Sequence, residues 1–398
     1  MAGMSFTEYV NAYYRGGLDI SQRYGISKAN DEASTADAAY FNTMYGATVF
    51  NQLNTKSDVF KLLRKEGWTQ SGWRVLTARS VAASNKGIAE GGTFGASSSD
   101  VEGDIPDLAE VSATIKEIVS PFTVTTRAAI LAEADDGVKG LATFLRQQAA
   151  EAHSFYIDQM LCADPATAAG NNMESLLRVT GNNAQLDLAG TTGTEMDIYD
   201  LDRTSAVTWQ DAFVSNGTLS GSSGSKAETE RPLTLALLDE IIQNAIENGA
   251  DYADLIFLMG HQQLTELKQL ITAGTNNATW RMALEAQAPK GTNGVASEPG
   301  MSLDSRMGYY DSIPIYATQH LATALTDQTG GSAAGMGPVL LLDMKNLYVK
   351  VAAPTTFLAQ EDLANVQALK RNYAFMTAGE LIATKFVTQG MIRGLEQA

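Results

Sequence analysis

SPFTVTTRAAILAEADDGVKGLATFLRQQAAEAHSFYIDQMLCADPA, Ser120 to Ala166, decides the fold reading, because it passes from an extended stretch into the strongest helical pattern of the 398-residue chain. Val138, Leu141, Leu145, Gln148 or Ala149, Ala152, Phe155 or Tyr156, and Met160 recur every three to four residues as far as Cys162, and Pro165 prevents continuation. The spacing predicts a helix opened by Asp135 and Asp136, whose carboxylates complement its positive end. Roughly 28 residues at 1.5 Å each make a strut of about 42 Å, against a usual helix of ~11 to 12 residues. His153 and Cys162 read as packing residues on it. Glu151, His153 and Asp158, at i, i+2 and i+7, do not all face one side and read as a solvated face rather than a catalytic set.

Upstream, Trp73, Val75 and the residues to Val81 form a candidate strand, and Val111 to Val119 its return partner. Between them SNKGIAEGGTFGASSSDVEGDIPD, Ser84 to Asp107, holds five glycines and almost no large apolar residue. A connection this long tends to be functional or disordered. One reading is a two-stranded projection whose tip is ordered only by a neighbouring chain, since an isolated hairpin is marginal in water. Lys86 at the tip could attack an asparagine of a neighbouring subunit if a buried carboxylate activated it, or is an ordinary exposed lysine. Further back, Ser5 and Glu8 form a capping box ahead of an aromatic stripe of Phe6, Tyr9 and Tyr13, and Gly16-Gly17 ends that helix. Val59 to Leu63, with Lys61, Arg64 and Lys65 near its end and Gly67 beyond, reads as a second short helix. Short capped helices bury little alone, so this segment reads as an arm lying on a larger body.

Downstream, Thr180 to Arg231 is rich in Gly, Ser, Thr and Asp and reads as a surface insertion. Its GTLSGSSGSK, Gly217 to Lys226, lacks the spacing of a phosphate loop. After Pro232, Leu235, Leu238, Ile241, Ile242, Ala245 and Ile246 predict an amphipathic helix stopped by Gly249; Leu255 to Met259 predicts a short buried strand and Gln262 to Ile271 another helix. The αβα unit is followed by a flexible stretch and by predicted strands at Ile313–Thr318, Val339–Asp343 and Asn346–Val351. Leu363 to Leu395 reads as extended or mixed, with Tyr373, Phe375 and Thr377 alternating.

Composition narrows the function classes. The 28 Lys plus Arg against 45 Asp plus Glu give a net charge of −17, which excludes a globally basic nucleic-acid binder held by phosphate neutralisation. One cysteine cannot make an intramolecular disulfide, and three scattered histidines suggest no histidine-only metal site. Charged residues make up only 18%, so the surface is rich in small polar groups, as surfaces covered by neighbours often are. No signal peptide or run of 18 apolar residues is found. Metalloprotease, thioredoxin-like, nucleophile-elbow, dinucleotide and calcium-loop motifs are missing. His261, between a strand and a helix, is where an α/β enzyme places function, though a lone histidine there is more often a cap or packing residue.

Taken in order, these elements resemble the major capsid proteins of tailed double-stranded DNA viruses, the Hong Kong 97-type fold. Ser120 to Ala166 resembles that family's passage from hairpin to spine helix, and Glu230 to Leu270 its central helix, strand and helix. GYYDSIPIYATQHL, Gly308 to Leu321, resembles its glycine and apolar-Pro-apolar strand; Val339 to Val351 and Thr356 to Val387 resemble its terminal strands. The resemblance implies an α+β subunit with an N-terminal arm over 1–67 and an extended β-hairpin, the E-loop, with its return strand over 68–128. A peripheral domain with the spine helix would cover 129–170, an axial α/β domain with an insertion 171–353, and terminal strands shared by both domains 354–398. Inter-subunit contacts are expected at Tyr9, Tyr13, Trp73, Arg79, Lys86 and Phe94. No catalytic residue, cofactor or metal is implied.

The implied role is a self-assembling shell of pentamers and hexamers that encloses double-stranded DNA without gripping it, in a virion assembled in the host cytoplasm. Portal and decoration proteins would be partners. The chain shows no long, charged helical segment ahead of the arm, which implies a separate scaffolding protein or a short or processed start. The alternatives are a cellular encapsulin-like nanocompartment shell and, in a different class, a soluble α/β enzyme working at His261.

Overall fold

The computed structural model describes residues 32–33, 58–78, 90, 106–125, 141–163, 170–183, 185, 197–203, 208–221, 226–273, 306–321, 335–358 and 370–396. In chain order the first elements are β1 (Glu32–Ala33), α1 (Val59–Leu62), β2 (Arg64–Gly67), β3 (Gly72–Ala78), β4 (Asp107–Ser112) and β5 (Lys116–Thr125). Next come α2 (Leu141–Leu161), α3 (Leu176–Val179), β6 (Phe213–Ser215), β7 (Thr218–Ser220), β8 (Ala227–Thr229), α4 (Leu235–Glu247), β9 (Leu255–Gly260) and α5 (His261–Ala273). The last third holds β10 (Arg306–Tyr310), β11 (Ile313–Thr318), β12 (Gly335–Met336) and β13 (Val339–Asp343). It continues with β14 (Leu347–Leu358), β15 (Lys370–Ala383), β16 (Gly390–Ile392) and β17 (Leu395–Glu396). These elements divide into a unit of 1–57, 117–157 and 353–378 and a larger unit of 58–116, 158–352 and 379–398.

In the larger unit a six-stranded sheet runs β10-β11-β9-β13-β16-β6. β9 is parallel to β11 and antiparallel to β13, and all six of its residues are buried. That is why its sequence is a continuous apolar run: with both faces covered there is no solvent side to write as polar. On α4 the buried residues Leu238, Ile241, Ile242 and Ala245 recur at helical spacing and turn one stripe to the core. Gly249, with φ of +83°, closes the helix as the left-handed residue past its end, and the next amide, of Ala250, donates to Ala245 O. The αβα order and the three strand spans Ile313–Thr318, Val339–Asp343 and Leu255–Gly260 agree with the sequence reading.

The smaller unit lays β5 beside β15, and β15 beside β14, with β1 parallel to β5 on its other side. Phe122, Phe357, Tyr373 and Phe375 form an aromatic row across these strands, with ring centroids 5.2–6.4 Å apart. His153, on α2, joins the strands through hydroxyls. Its Nδ1 lies 2.8 Å from Ser120 Oγ and its Nε2 2.8 Å from Thr377 Oγ1, which in turn lies 2.8 Å from Thr355 Oγ1. Burial pushes the His153 ring below the ordinary imidazole pKa.

Several expectations are corrected. The described part of α2 spans 21 residues, about 32 Å at 1.5 Å per residue, and ends where expected; its proposed start at Asp135 and Asp136 lies outside the described residues. Glu151, His153 and Asp158 are not a solvated face, since His153 and Asp158 are 1% and 0% exposed. Arg64 to Gly67 does not continue the short helix but forms β2, parallel to Tyr348–Val351, because Leu63 already has extended backbone. The partner of β3 is Asp107–Ser112 rather than Val111 to Val119; that predicted strand is interrupted at residues 113–115, and Lys116–Thr125 starts a separate one. Within the expected insertion, β6 pairs with β16 inside the six-stranded sheet, and Ala212, Val214 and Arg203 are buried. The predicted helix after Ser5 lies outside the described residues.

Candidate functional site

The described feature that answers to the expected projection is the ribbon of β3 and β4. Trp73 faces Val111, Arg74 faces Glu110, Val75 faces Ala109 and Leu76 faces Leu108. Alternation then puts Trp73, Val75, Ala109 and Val111 on one side, and Arg74, Leu76, Leu108 and Glu110 on the other. The first side is partly or fully buried. The second is open: Leu76 and Leu108 are 47% and 61% exposed, although they are cross-strand partners. The exposed Arg74 Nε to Glu110 Oε1 pair, at 3.3 Å, adds little in water.

The root of the ribbon is fastened at several points of the larger unit. Lys350 Nζ donates to Gln70 O at 3.0 Å and stands over the Trp68 ring, while Lys116 Nζ donates to Gly170 O at 2.6 Å. Ala113 N donates to Ser71 O at 2.9 Å, closing the base across the two strands. Trp73 meets Tyr199 edge-on, with centroids 5.2 Å apart and planes at 75°, and Ser112 Oγ donates to Asp200 Oδ2 at 3.0 Å. An open cleft of about 720 Å³ lies along this root, lined by Gln70, Trp73, Arg74, Glu110 and Ser112.

Two buried carboxylates hold the surrounding frame. Asp158 Oδ2 accepts from the amides of Asp58 (2.6 Å) and Val59 (3.3 Å), and its Oδ1 from Phe60 (2.7 Å), capping α1 from the end of α2. Glu380 Oε1 accepts from the amides of Glu174 (2.7 Å) and Leu381 (2.9 Å). Burial, opposed by the Glu174 amide and reinforced by the Glu174 carboxylate, raises the Glu380 pKa to about 8. Arg203, fully buried, donates to Arg178 O at 2.6 Å and Gln210 O at 2.9 Å, using its charge to bind carbonyls that a short helix and a turn leave over.

Of the residues the sequence singled out for inter-subunit contact, only Trp73 is described, and it is half-buried against Tyr199. Tyr9, Tyr13, Arg79, Lys86 and Phe94 lie outside the described residues. His261 opens α5 as an exposed residue, and Cys162 is buried. Tyr199 and Asp200 were missed. Their signal was slight: an aspartate in IYDLD, one of the few residue types that tolerate left-handed backbone. Among the described residues no group of three or more His, Cys, Asp or Glu is placed to hold a metal ion, and no helix is long and apolar enough to cross a membrane.

No family model matches the sequence, and no curated protein matches it either. Solved structures do. A chain of the cyanophage A-1(L) capsid asymmetric unit is similar over 88% of this chain and 95% of that one, at 14% identity and a TM-score of 0.59. A structure from Mycobacterium phage Bobi is similar over 88% of this chain and 96% of that one, at 10% identity and a TM-score of 0.49. The chain therefore has a mixed α and β fold that is found in a phage capsid.

Proposed function

We propose that the chain is the major capsid protein of a tailed double-stranded DNA virus, a Hong Kong 97-type subunit that builds an icosahedral shell from pentamers and hexamers. The observation that carries this reading is the likeness to the cyanophage capsid chain over nearly the whole of both chains. The ribbon of β3 and β4 is then the base of the E-loop, with an outer side of exposed leucines for a neighbouring subunit, and α2 is the spine helix. The arm of 1–67, peripheral domain of 129–170, axial domain of 171–353 and terminal strands of 354–398 follow from the same reading. Tyr9, Tyr13, Arg79, Lys86 and Phe94 join Trp73 as proposed inter-subunit contacts. A net charge of −17 suits a lining that encloses DNA without holding it. The partners are other copies of the chain, a separate scaffolding protein, a portal and decoration proteins, and the role is non-enzymatic. Its place is the virion, after assembly in the host cytoplasm.

Negative-stain microscopy of the purified protein, with and without a co-expressed scaffold, tests the proposal. Closed particles of hundreds of copies are expected; only small discrete oligomers under every condition overturn it. A deletion of Lys86 to Asp100 is expected to leave a folded subunit that forms no closed shells, and normal shells from it remove the assembly role of the hairpin tip. An encapsulin-like nanocompartment would form shells too, but filled with protein rather than DNA.

A further inference from the structure

Tyr199 and Asp200 are neighbours with φ of 52° and 60°, a left-handed conformation that costs free energy for any residue with a side chain. They are the corner of a tight turn closed in both directions, Ile198 N to Leu201 O at 3.3 Å and Leu201 N to Ile198 O at 2.8 Å. Such a corner persists where its surroundings over-determine it. Here each corner residue holds a different strand of the ribbon. Tyr199 takes the outgoing strand through Trp73, and Asp200 takes the returning strand through Ser112. Trp73 and Ser112 stand on adjacent rungs, since Gly72 pairs with Ser112 and Trp73 with Val111.

The turn itself is anchored to the body. The Tyr199 ring is 5% exposed, and its hydroxyl donates to Leu381 O at 2.6 Å while accepting from the Ala383 amide at 3.0 Å. A single phenol oxygen thus ties the turn to two residues of β15. Lys350 and Lys116 fix the chain just before and just after the ribbon, but neither touches the ribbon strands through the bonds named above. They set where the ribbon starts; the turn touches it one rung further out. Three rungs beyond, Leu76 and Leu108 are already largely in solvent.

We propose that the Tyr199–Asp200 turn is a clamp that sets the angle at which the β3–β4 ribbon leaves the larger unit. It acts in the isolated subunit and does not depend on the shell reading. Its consequence for any partner is pre-organisation: a ribbon already held at one angle loses less freedom on docking than a swinging one.

The test uses the full chain with spin labels at L108C on the ribbon and E247C on α4. The native Cys162 is buried, and burial with the nearby Asp158 pushes its thiol far up, so it stays unlabelled. The parent protein is expected to give one narrow distance. Asp200→Gly relieves the left-handed backbone and removes the Ser112 bond, so it is expected to keep or raise thermal stability while broadening that distance. Amides of Gly72–Leu76 and Leu108–Ser112 should then exchange about tenfold faster, with β9 and β13 unchanged. Ser112→Ala should give the same broadening more weakly, and Tyr199→Phe should add to it. An unchanged narrow distance in Asp200→Gly and Ser112→Ala, both at surface groups that do not threaten folding, overturns the clamp; it would mean that the root bonds alone fix the angle.

Discussion

Arg393 and Glu228 form an ion pair with side chains 1% and 0% exposed, Nε to Oε2 at 2.9 Å. Glu228 Oε1 also accepts from Gly217 N at 2.7 Å, and Arg393 N donates to Ser215 O at 3.0 Å, so the pair joins β16 to the β7–β8 hairpin. Removing one partner strands a charge without water. Arg393→Met is expected to cost about 3–5 kcal/mol of stability, and the double variant with Glu228→Met less than the sum of the two single changes. Chemical unfolding of all four proteins checks this; strict additivity would show that the pair is not coupled. Glu380 makes a pH prediction. Its pKa is raised from the ordinary 4.5 to about 8, so the folded state holds a proton that the unfolded chain has lost. The stability it contributes is full below pH 4.5 and declines until pH passes about 8. Relative to Glu380→Gln, the parent is therefore expected to melt progressively lower as pH rises from 5 to 8.5; melting curves that stay parallel contradict the shift. None of these buried ionisable groups was legible in the sequence, where such residues read as solvated by default. Asp158 shows why: its spacing on α2 says nothing about the three amides of residues 58–60 that it accepts from, about a hundred positions away.

At the scale of elements, α4 rests on β16 with almost no gap. A Cβ on Gly390 would lie 2.5 Å from Ile241 Cγ1 and 2.7 Å from its Cδ1, and Ile241 is fully buried. Gly390→Ala is expected to destabilise by about 1–3 kcal/mol through overpacking, and Ile241→Val in the same chain to recover part of that loss. Thermal denaturation of the single and double variants measures it; a Gly390→Ala protein as stable as the parent would show that the helix moves freely off the sheet. Elements with one strong local pattern were the legible ones. β9, β11 and β13 were readable because each is a short unbroken apolar run, and α4 because its stripe keeps the 3.6 period. β2 and β6 were not, because a strand of three or four residues carries no measurable period and its identity comes from the sheet edge it joins. The ribbon was legible as a strand and a return, but its register was not. Ala113 N still donates to Ser71 O, the next rung of the same ladder, and the chain leaves strand pairing only over 113–115, a break that no pattern of residue types announces.

For the whole molecule, the charge of −17 and the exposed leucine pair on the ribbon pull in opposite directions. Copies brought together through apolar ribbon faces must bring their negative charges together as well. In a proposed shell of many copies, that repulsion opposes association at every contact, and it acts between solvent-exposed charges over a Debye length of about 10 Å at 0.1 M salt. The apolar contribution behaves oppositely, since salt does not weaken it and an excluded anion such as sulfate strengthens it. If the ribbon and its apolar partners drive assembly, raising sodium chloride from 0.05 to 0.5 M is expected to speed particle formation, and sodium sulfate at equal ionic strength to speed it further. If exposed ion pairs such as Arg74 with Glu110 rearrange across subunits to hold the shell, salt should slow it instead. Light scattering during assembly separates the two. Asp200→Gly adds the decisive arm: a ribbon freed from its turn should assemble more slowly at every salt concentration, because its ordering must then be supplied by the contact itself.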